Sequence, residues 1–271
     1  GHPVVGHLRP AHARVERRRT AVDTPAGTAP GSLAGVIART QVEAAARRIA
    51  AHVRRTPVVA VEPGPFAPAG AVWFKLEFLQ HAGSFKARGA VNRILAAAEA
   101  GAVPAAGVIV ASGGNAGMAV AYAARALGVP AEVWVPTTAP AVKVAALREL
   151  GAAVVRHGSE YAEAYEAAHA RAADTGALLC HAYDHAEMCA GAGTLGLELL
   201  DQIDGFDTVL LVVGGGGLMA GVATALHGRA RVVAVEPEAI PTLHAALAAG
   251  GPVDVPVGGV AADSLGARLL G

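Results

Sequence analysis

Short apolar strands alternate with helices along this chain from Gly107 almost to its end. Most of the strands are unbroken apolar runs, which are typical of parallel strands covered by helices on both faces. Glycines such as Gly128 and Gly151 stop one helix before the next strand begins. The pattern therefore predicts the α/β fold class. The predicted strands are 108–111, 132–135, 153–155, 178–180, 208–213 and 231–236, and the predicted helices are 115–127, 140–150, 159–175, 194–200, 218 onward and 240–249.

The first third of the chain is organised differently. Residues 1–35 are rich in Pro, Gly, Thr and Arg without periodicity, which predicts a mobile N-terminal arm. Thr40 and Glu43 fit a capping box, so we expect a helix from there to about Arg54. Further on, the Gly-Ser step at 83–84 offers a turn and a helix N-cap, and the Ala-rich sequence after it predicts another helix.

Charge and hydropathy exclude several classes of function. Formal net charge is zero and no basic patch with interleaved aromatic residues occurs, so we expect no nucleic-acid partner. The segment 208–226 is uncharged, but four successive glycines at its centre would break a spanning helix, and we expect no membrane span. Cys180 and Cys189 suit neither a disulfide framework nor a metal site, which predicts a cytoplasmic protein without bound metal.

Lys86 is the residue whose presence is most unusual for this composition. The chain has three lysines against nineteen arginines, so a retained lysine suggests chemistry that a guanidinium cannot perform. An amine can lose its proton and form an imine, whereas arginine stays protonated. The predicted helix places Lys86 in its first turn, where the positive helix end disfavours an ammonium. We interpret it as a candidate nucleophile and base, with an ordinary surface lysine as the alternative.

Two glycine-bearing loops directly follow predicted strands. The first is Ser112-Gly113-Gly114-Asn115, and the second is the four-glycine run at 214–217. In open parallel sheets, ligands bind beyond the carboxyl ends of the strands, where backbone N–H groups and helix N-termini receive anions. Each loop is therefore a candidate anion site, and the alternative for each is a tight strand-to-helix turn without a ligand.

The second loop also fits another template. Gly215, Gly217 and Ala220 match part of a dinucleotide-binding fingerprint, and Glu236 ends the next predicted strand nineteen residues after Gly217. From this loop alone, an NAD-dependent oxidoreductase of the Rossmann type is an alternative. That alternative leaves the lysine and the first loop without a role.

Three ordered motifs carry a resemblance to a known family. They are Gly-Ser-Phe-Lys-x-Arg-Gly-Ala at 83–90, Ser-Gly-Gly-Asn-x-Gly at 112–117 and Gly-Gly-Gly-Gly-Leu at 214–218. From about Thr40 to its C-terminus, the chain resembles the pyridoxal-phosphate enzymes of fold type II. The closest likeness is to the branch of the serine and threonine dehydratases, which includes the serine racemases.

The resemblance implies a fold of two parallel-sheet, three-layer domains of the tryptophan synthase β-like kind. The large, cofactor-binding domain would be discontinuous and comprise residues 36–106 and 185–271. The small domain would comprise residues 107–184.

The resemblance also implies pyridoxal 5'-phosphate as the cofactor and a role for each candidate residue. Lys86 would hold the cofactor as an imine and act as the catalytic base, with the ring of Phe85 packed beside the cofactor. Asn115 would bind the phenolic oxygen of the cofactor. The phosphate would be held by Gly214, Gly215, Gly216, Gly217 and Leu218. The substrate carboxylate would be received by Ser112, Gly113, Gly114 and Asn115.

The reaction implied by the resemblance is dehydration and deamination of L-threonine or L-serine to a 2-oxo acid and ammonia, which is the work of a carbon-nitrogen lyase. The freed, uncharged Lys86 would remove the α-proton from the amino-acid substrate. The alternatives are a β-replacement enzyme, a racemase of the same fold, and a truncated homologue that binds the cofactor without turnover. We expect a homodimer or a higher homo-oligomer.

The chain departs from the family pattern at three places. Gly113 stands where the racemases carry a second serine that serves the opposite face of the substrate, which favours elimination. Glu236 matches one residue of the family's divalent-cation site, but Thr242 stands at the other, so we interpret Glu236 as a capping or paired carboxylate. Family members continue beyond Gly271 to a serine or cysteine that faces the pyridine nitrogen, and we expect the large domain of this chain to be incomplete.

Overall fold

The computed structural model describes residues 37–62, 64, 67 and 70–271, so the predicted arm at 1–35 lies outside the described residues. The α-helices of the described part are α1 (Arg39–Ile49), α2 (Lys86–Glu99), α3 (Asn115–Ala126), α4 (Ala141–Glu149), α5 (Tyr161–Thr175), α6 (Ala186–Gln202), α7 (Gly217–Leu226), α8 (Thr242–Ala249) and α9 (Ala262–Leu265). The strands are β1 (Val58–Val61), β2 (Val72–Lys75), β3 (Val108–Ala111), β4 (Ala131–Val135), β5 (Ala153–Arg156), β6 (Leu178–Leu179), β7 (Thr208–Val212) and β8 (Arg231–Val235).

A four-stranded parallel sheet in the order β5-β4-β3-β6 has β3 near its centre. Side chains alternate along β3, as the pleat of a strand requires. Val108 and Val110 pack in the core formed with α3 and α4. Ile109 and Ala111 lie on the opposite face and pack against α5. Helices therefore cover both faces of this sheet, as the unbroken apolar runs predicted.

A second parallel sheet consists of β7 and β8. Leu211 points from it into a core with α6 and α7, where Val222 and Leu226 are buried. On the opposite face, Leu210 and Val212 are 69% and 50% exposed. β1 and β2 pair with each other in antiparallel fashion, which the apolar pattern did not predict. None of the helices formed by the described residues is long and apolar enough to cross a membrane.

Most predicted element bounds after residue 107 agree with the structure to within two residues. The main exception is α6, which begins at Ala186, eight residues before the predicted start. Gly191 and Gly193 interrupt the apolar pattern there, but in the structure they allow close helix packing. A Cβ at Gly191 would lie 2.5 Å from the carbonyl oxygen of Arg88, and one at Gly193 would lie 2.6 Å from that of Gly221.

The predicted capping box at the first helix is wrong. α1 begins at Arg39, one residue earlier than expected, so Thr40 lies inside the first turn and cannot cap it. The side-chain oxygen of Gln41 instead accepts the backbone N–H of Ala38 at 2.7 Å. Glu43 forms an ion pair with Arg39 at 3.0 Å. The helix also ends at Ile49 and does not reach residue 54.

Candidate active site

Lys86 begins α2, and its side chain lines a small pocket. Its Nζ donates a hydrogen bond to the carbonyl oxygen of Ala182 at 2.9 Å. The ring centroids of Phe85 and Tyr183 lie 5.2 and 5.9 Å from the same nitrogen. Burial lowers the pKa of Lys86 to about 8, because an ammonium loses hydration inside the protein. Near neutral pH, part of this amine is therefore uncharged and able to act as a nucleophile or base.

Ser84 precedes Lys86 by two residues but does not cap α2, contrary to the prediction. The residue next to the helix is Phe85, so Ser84 lies one position too early to be the N-cap. The Ser84 hydroxyl is buried and has no hydrogen-bond partner among the described residues. A buried hydroxyl without a partner is uncommon in folded proteins.

The glycine run connects β7 to α7 and leaves no room for side chains. Gly216 has φ of +91°, a conformation that L side chains rarely adopt. A Cβ at Gly215 would lie 2.4 Å from atoms of the Tyr183 ring, and a Cβ at Gly217 would lie 2.6 Å from the Tyr183 carbonyl oxygen. Within the described part of the chain, the N–H groups from Gly214 to Leu218 donate no hydrogen bonds. They form a cluster of donors suited to a phosphate.

These residues fit pyridoxal phosphate in kind: a buried amine for its aldehyde and a glycine cradle for its phosphate. Lys86, Phe85, Gly217 and Leu218 line one common cavity. The cavity holds about 10 Å³, which is about the space of one water molecule. The Tyr183 ring is part of its wall, so that side chain has to move before a cofactor can enter.

The first predicted loop lies at the carboxyl end of β3. Gly114 is the N-cap of α3, and its N–H donates to the hydroxyl oxygen of Ser112 at 3.2 Å. Asn115 is exposed at the helix start. Among the described residues, the N–H groups from Asn115 to Gly117 find no acceptor, so the loop can receive a carboxylate. The lining of the Lys86 cavity does not include Ser112, Gly113, Gly114 or Asn115. The roles expected for these four residues stay predictions.

Strand pairing brings this loop and Lys86 to one edge of the sheet. β3 and β6 are neighbours, and the N–H of Cys180 donates to the carbonyl oxygen of Ile109 at 2.8 Å. The loop after β3 and Ala182 therefore both follow strands that end at this edge. The carbonyl oxygen of Ala182 accepts the hydrogen bond from Lys86 Nζ.

Four aromatic side chains, here called the aromatic row, extend from this edge: Tyr161, Tyr165, His181 and Tyr183. The ring centroids are 5.9 Å apart between Tyr161 and Tyr165, 6.0 Å between Tyr165 and His181, and 4.8 Å between His181 and Tyr183. The two contacts of His181 are edge-to-face. Tyr161 is 53% exposed, so the row runs from the surface to the ring beside Lys86.

The inner members of the row are uncharged at neutral pH. The Nδ1 atom of His181 accepts the backbone N–H of Asp184 at 2.9 Å, which requires that nitrogen to be unprotonated. Burial lowers the pKa of His181, and the carboxylate of Asp184 offsets only part of this effect. Burial also raises the pKa of Tyr165 and of Tyr183, so both phenols keep their protons.

Four ionised side chains form a buried ion quartet behind the first turn of α2: Lys75, Glu77, Arg88 and Glu198. Arg88 is fully buried. Its guanidinium contacts both oxygens of Glu77 at 2.9 and 2.8 Å and both oxygens of Glu198 at 2.6 and 3.0 Å. Lys75 Nζ lies 2.5 Å from Glu198. Because Arg88 is two residues after Lys86, the quartet fixes the turn that carries the amine. The motif at 83–90 contains Arg88, but nothing local in the sequence indicates that Arg88 pairs with Glu198.

Glu236 caps a helix, which confirms its interpretation as a capping carboxylate. Its carboxylate accepts the N–H groups of Leu243 and His244 at 2.6 and 2.9 Å, in the first turn of α8. The Thr242 hydroxyl donates to the carbonyl oxygen of Ala267 at 3.1 Å. The described residues contain no group of three or more His, Cys, Asp or Glu side chains that could hold a metal ion.

A family comparison agrees with this geometry. Residues 49–270 match the family of pyridoxal-phosphate dependent enzymes, and the chain belongs to that family. The resemblance carried by the three motifs is thereby confirmed, together with the cofactor that it implied. The NAD-dependent alternative is excluded for the same reason.

Individual relatives point to one branch of the family. L-threonine ammonia-lyase of Geobacter sulfurreducens is 39% identical over 235 residues, which are 86% of this chain and 58% of that protein. Phenylserine dehydratase of Ralstonia pickettii is 40% identical over 221 residues, which are 80% of this chain and 67% of that protein. Maize serine racemase has a similar structure, with a TM-score of 0.81 and 33% identity over 87% of this chain and 72% of that chain. The structural similarity confirms the predicted α/β fold class. The chain spans 58% of the length of the Geobacter relative.

Proposed function

We propose that this protein is a carbon-nitrogen lyase that converts small β-hydroxy amino acids, such as L-threonine or L-serine, to a 2-oxo acid and ammonia. The observation that carries the proposal is a buried amine that shares a cavity with the glycine run, whose N–H groups have no acceptor among the described residues. Lys86 and Gly217 both line this cavity, and Lys86 Nζ donates to the carbonyl oxygen of Ala182, three residues after β6. The name of the Geobacter relative, L-threonine ammonia-lyase, supports the same reaction.

Bound pyridoxal phosphate would supply an electron sink for negative charge at the substrate α-carbon. Lys86 would hold its aldehyde, and the N–H groups from Gly214 to Leu218 would hold its phosphate. The protein's own part is then to bind the substrate carboxylate at the N–H groups that begin α3 and to remove the α-proton at Lys86 Nζ. A pKa of about 8 suits an amine that acts as a base near neutral pH.

Elimination is favoured over racemisation by the loop after β3. Racemisation needs a second group that exchanges a proton on the face opposite Lys86. Gly113 has no side chain for that role, and the Ser112 oxygen already accepts the Gly114 N–H. Formation of the D-amino acid from L-serine, measured by chiral chromatography, would contradict this choice.

We also propose the two-domain division at 107–184, with 36–106 and 185–271 as the other domain. The four-stranded sheet lies wholly inside 107–184, which supports the division. The proposed homo-oligomer is supported by exposed apolar side chains such as Leu210, and light scattering of the purified protein tests it. Cys180 and Cys189 are both free thiols, which supports the proposed cytoplasmic location.

The test of the activity is an ammonia-release screen over hydroxy amino acids with added pyridoxal phosphate. Wild type should release ammonia, whereas Lys86→Ala and Lys86→Arg should release none. Lys143→Arg is the matched control, because Lys143 pairs with Asp263 away from the cavity. Borohydride reduction should trap the cofactor on the peptide that contains Lys86.

Two outcomes separate the alternatives. Absence of a cofactor absorbance band at saturating pyridoxal phosphate would contradict the proposed cofactor site. A band trapped on Lys86 without ammonia release from any substrate would instead identify a homologue that binds the cofactor without turnover.

A further inference from the structure

We propose that the Tyr183 side chain and residues 269–271, here called the gate, cover the glycine run and have to move away before pyridoxal phosphate can bind. Opening of the gate then limits the rate at which the protein takes up its cofactor. The inference rests on the proposed cofactor site and concerns how that site is entered. The observations behind it are the packing of the gate on the glycine run and the small volume of the adjoining cavity.

The Tyr183 ring lies directly against the glycine run. A Cβ at Gly215 would lie 2.4 Å from three atoms of this ring, so the ring fills the space where a side chain would begin. The ring also borders the cavity that Lys86 and Gly217 share, which holds about 10 Å³. That volume admits one water molecule and not a phosphate group. The cofactor site therefore cannot be filled while the Tyr183 side chain keeps this position.

Two hydrogen bonds hold the gate closed. The Tyr183 hydroxyl donates to the carbonyl oxygen of Leu269 at 3.1 Å, which ties the ring to the backbone there. The N–H of Gly271 donates to the carbonyl oxygen of Gly215 at 3.2 Å, which ties the same backbone to the glycine run. Neither bond uses the N–H groups at 214–218, which have no acceptor among the described residues. The closed gate therefore covers these donors without pairing them.

A leucine side chain completes the gate. A Cβ at Gly216 would lie 2.9 Å from the Cδ1 atom of Leu270, so this side chain packs on the glycine run. Leu270 is half-buried in this position, whereas its neighbour Leu269 is 46% exposed. The two leucines are adjacent and chemically identical but differ in burial. Leu269→Ala is therefore a matched control for Leu270→Ala.

The gate can open while its surroundings stay in place. The carbonyl oxygen of Tyr183 accepts the Cys189 thiol and the His185 N–H, each at 3.2 Å, so the backbone is fixed and the ring moves by side-chain rotation. Just before residues 269–271, the carbonyl oxygens of Ala267 and Arg268 accept hydrogen bonds at 3.1 and 2.9 Å from residues outside the gate. Opening therefore involves one side chain and three residues.

The phosphate of the cofactor favours the open arrangement. It supplies several acceptor oxygens to the N–H groups at 214–218, which the closed gate leaves without an acceptor. A ligand that binds only the open arrangement shifts the population toward it. The apparent affinity of that ligand is reduced by the fraction of molecules that are open. Loss of one gate hydrogen bond of ordinary net strength should raise a small open fraction about fivefold.

Stopped-flow absorbance of the cofactor-free protein mixed with pyridoxal phosphate tests the gate. The rate constant of the cofactor absorbance band should level off as the cofactor concentration rises, because opening becomes limiting. Tyr183→Phe loses the bond to Leu269 and should raise this plateau about fivefold. Leu270→Ala loses the packing on Gly216 and should raise it about tenfold. A plateau set by chemistry at Lys86 would respond to neither variant.

Equilibrium titration gives a second readout that needs no turnover. Both gate variants should tighten the apparent dissociation constant of pyridoxal phosphate by the factor by which each raises the plateau, because the gate contacts are absent from the loaded protein. Leu269→Ala and Tyr161→Phe are the controls and should match wild type in both measurements. Tyr161 suits this purpose because it is 53% exposed and lies outside the gate. Thermal melts of each variant check that it is folded.

The outcomes separate the gate from the site that it covers. A rate constant that rises linearly up to the highest cofactor concentration would overturn the gate, as would a plateau that neither gate variant raises. Equal effects of Leu269→Ala and Leu270→Ala would also overturn it. Each of these results leaves the cofactor site and the lyase reaction standing. Absence of any cofactor absorbance band in wild type and variants would overturn the cofactor site and the gate together.

Discussion

Glu198→Gln is a small change in shape with a large expected effect on stability. The Glu198 carboxylate accepts hydrogen bonds from Arg88 at 2.6 and 3.0 Å and from Lys75 at 2.5 Å. With Glu77, these residues form a quartet of two positive and two negative charges. Glutamine removes one negative charge and turns one acceptor oxygen into a donor amide, so two buried cations are left with a single carboxylate.

The expected cost follows from the burial of the quartet. Removing one partner of a buried ion pair destabilises proteins by about 3–5 kcal/mol, because the remaining charge is buried without compensation. The side chain of Glu198 is 16% exposed whereas that of Arg88 is 0% exposed, so some solvent reaches the site and the low end applies. We therefore expect a loss of about 3 kcal/mol from a total free energy of unfolding on the order of 5–15 kcal/mol.

Urea unfolding of the cofactor-free protein measures this loss. The midpoint should fall while the m-value stays constant, because the surface exposed on unfolding is unchanged. Asp201→Asn is the matched control, one turn further along α6. Asp201 pairs with Arg55, but these side chains are 67% and 56% exposed, so a change within about 0.5 kcal/mol is expected. A loss below about 1 kcal/mol for Glu198→Gln, or one equal to that of the control, would refute the reasoning.

Three further predictions follow from the same geometry. Gly217→Ala should weaken pyridoxal-phosphate binding at least about tenfold, because its Cβ would lie 2.6 Å from the backbone carbonyl oxygen of Tyr183. Gly251→Ala meets no atom within 4 Å and should bind normally, and equal affinities of the two variants would contradict this prediction. Carbon-13 NMR titration of the reductively methylated apoprotein should give Lys86 a midpoint near pH 8, and a midpoint above about 10 would exclude the buried amine. Burial raises the pKa of Glu198, but Arg88 and Lys75 outweigh this effect, and the net pKa is lowered. The stability advantage of wild type over Glu198→Gln in urea titrations should therefore be complete above about pH 4.5 and shrink at lower pH. A difference that stays constant down to about pH 2 would contradict this prediction.

The sheet and its helices could be predicted because their signals are local. Strands covered on both faces are uniformly apolar, and glycine or proline marks their ends, so most bounds from β3 to α8 agree within two residues. The same local reasoning misread the start of α6. Glycines 191 and 193 weaken a helix when judged alone, but here they allow neighbouring backbone to approach within contact distance.

The ion quartet and the aromatic row could not be predicted, because their members are distant in the chain. Arg88 and Glu198 are separated by 110 residues, and neither has a local pattern that names its partner. Nothing local to Tyr183 in the sequence indicates that its ring packs on Gly215 and borders the Lys86 cavity. In both cases the sequence contains the residues, whereas the pairing depends on how β6, α2 and α6 pack together.

The distance between the amine and the glycine run is set by residues that touch neither. α6 lies between α2, which carries Lys86, and α7, which follows the glycine run. Gly191 packs against the backbone of α2 at Arg88, and Gly193 packs against the backbone of α7 at Gly221. Any side chain at these glycines would push the two helices apart, and with them the two ends of the cofactor site. The glycines of α6 therefore determine the span of the site, and the quartet holds the first turn of α2 against α6 within that span.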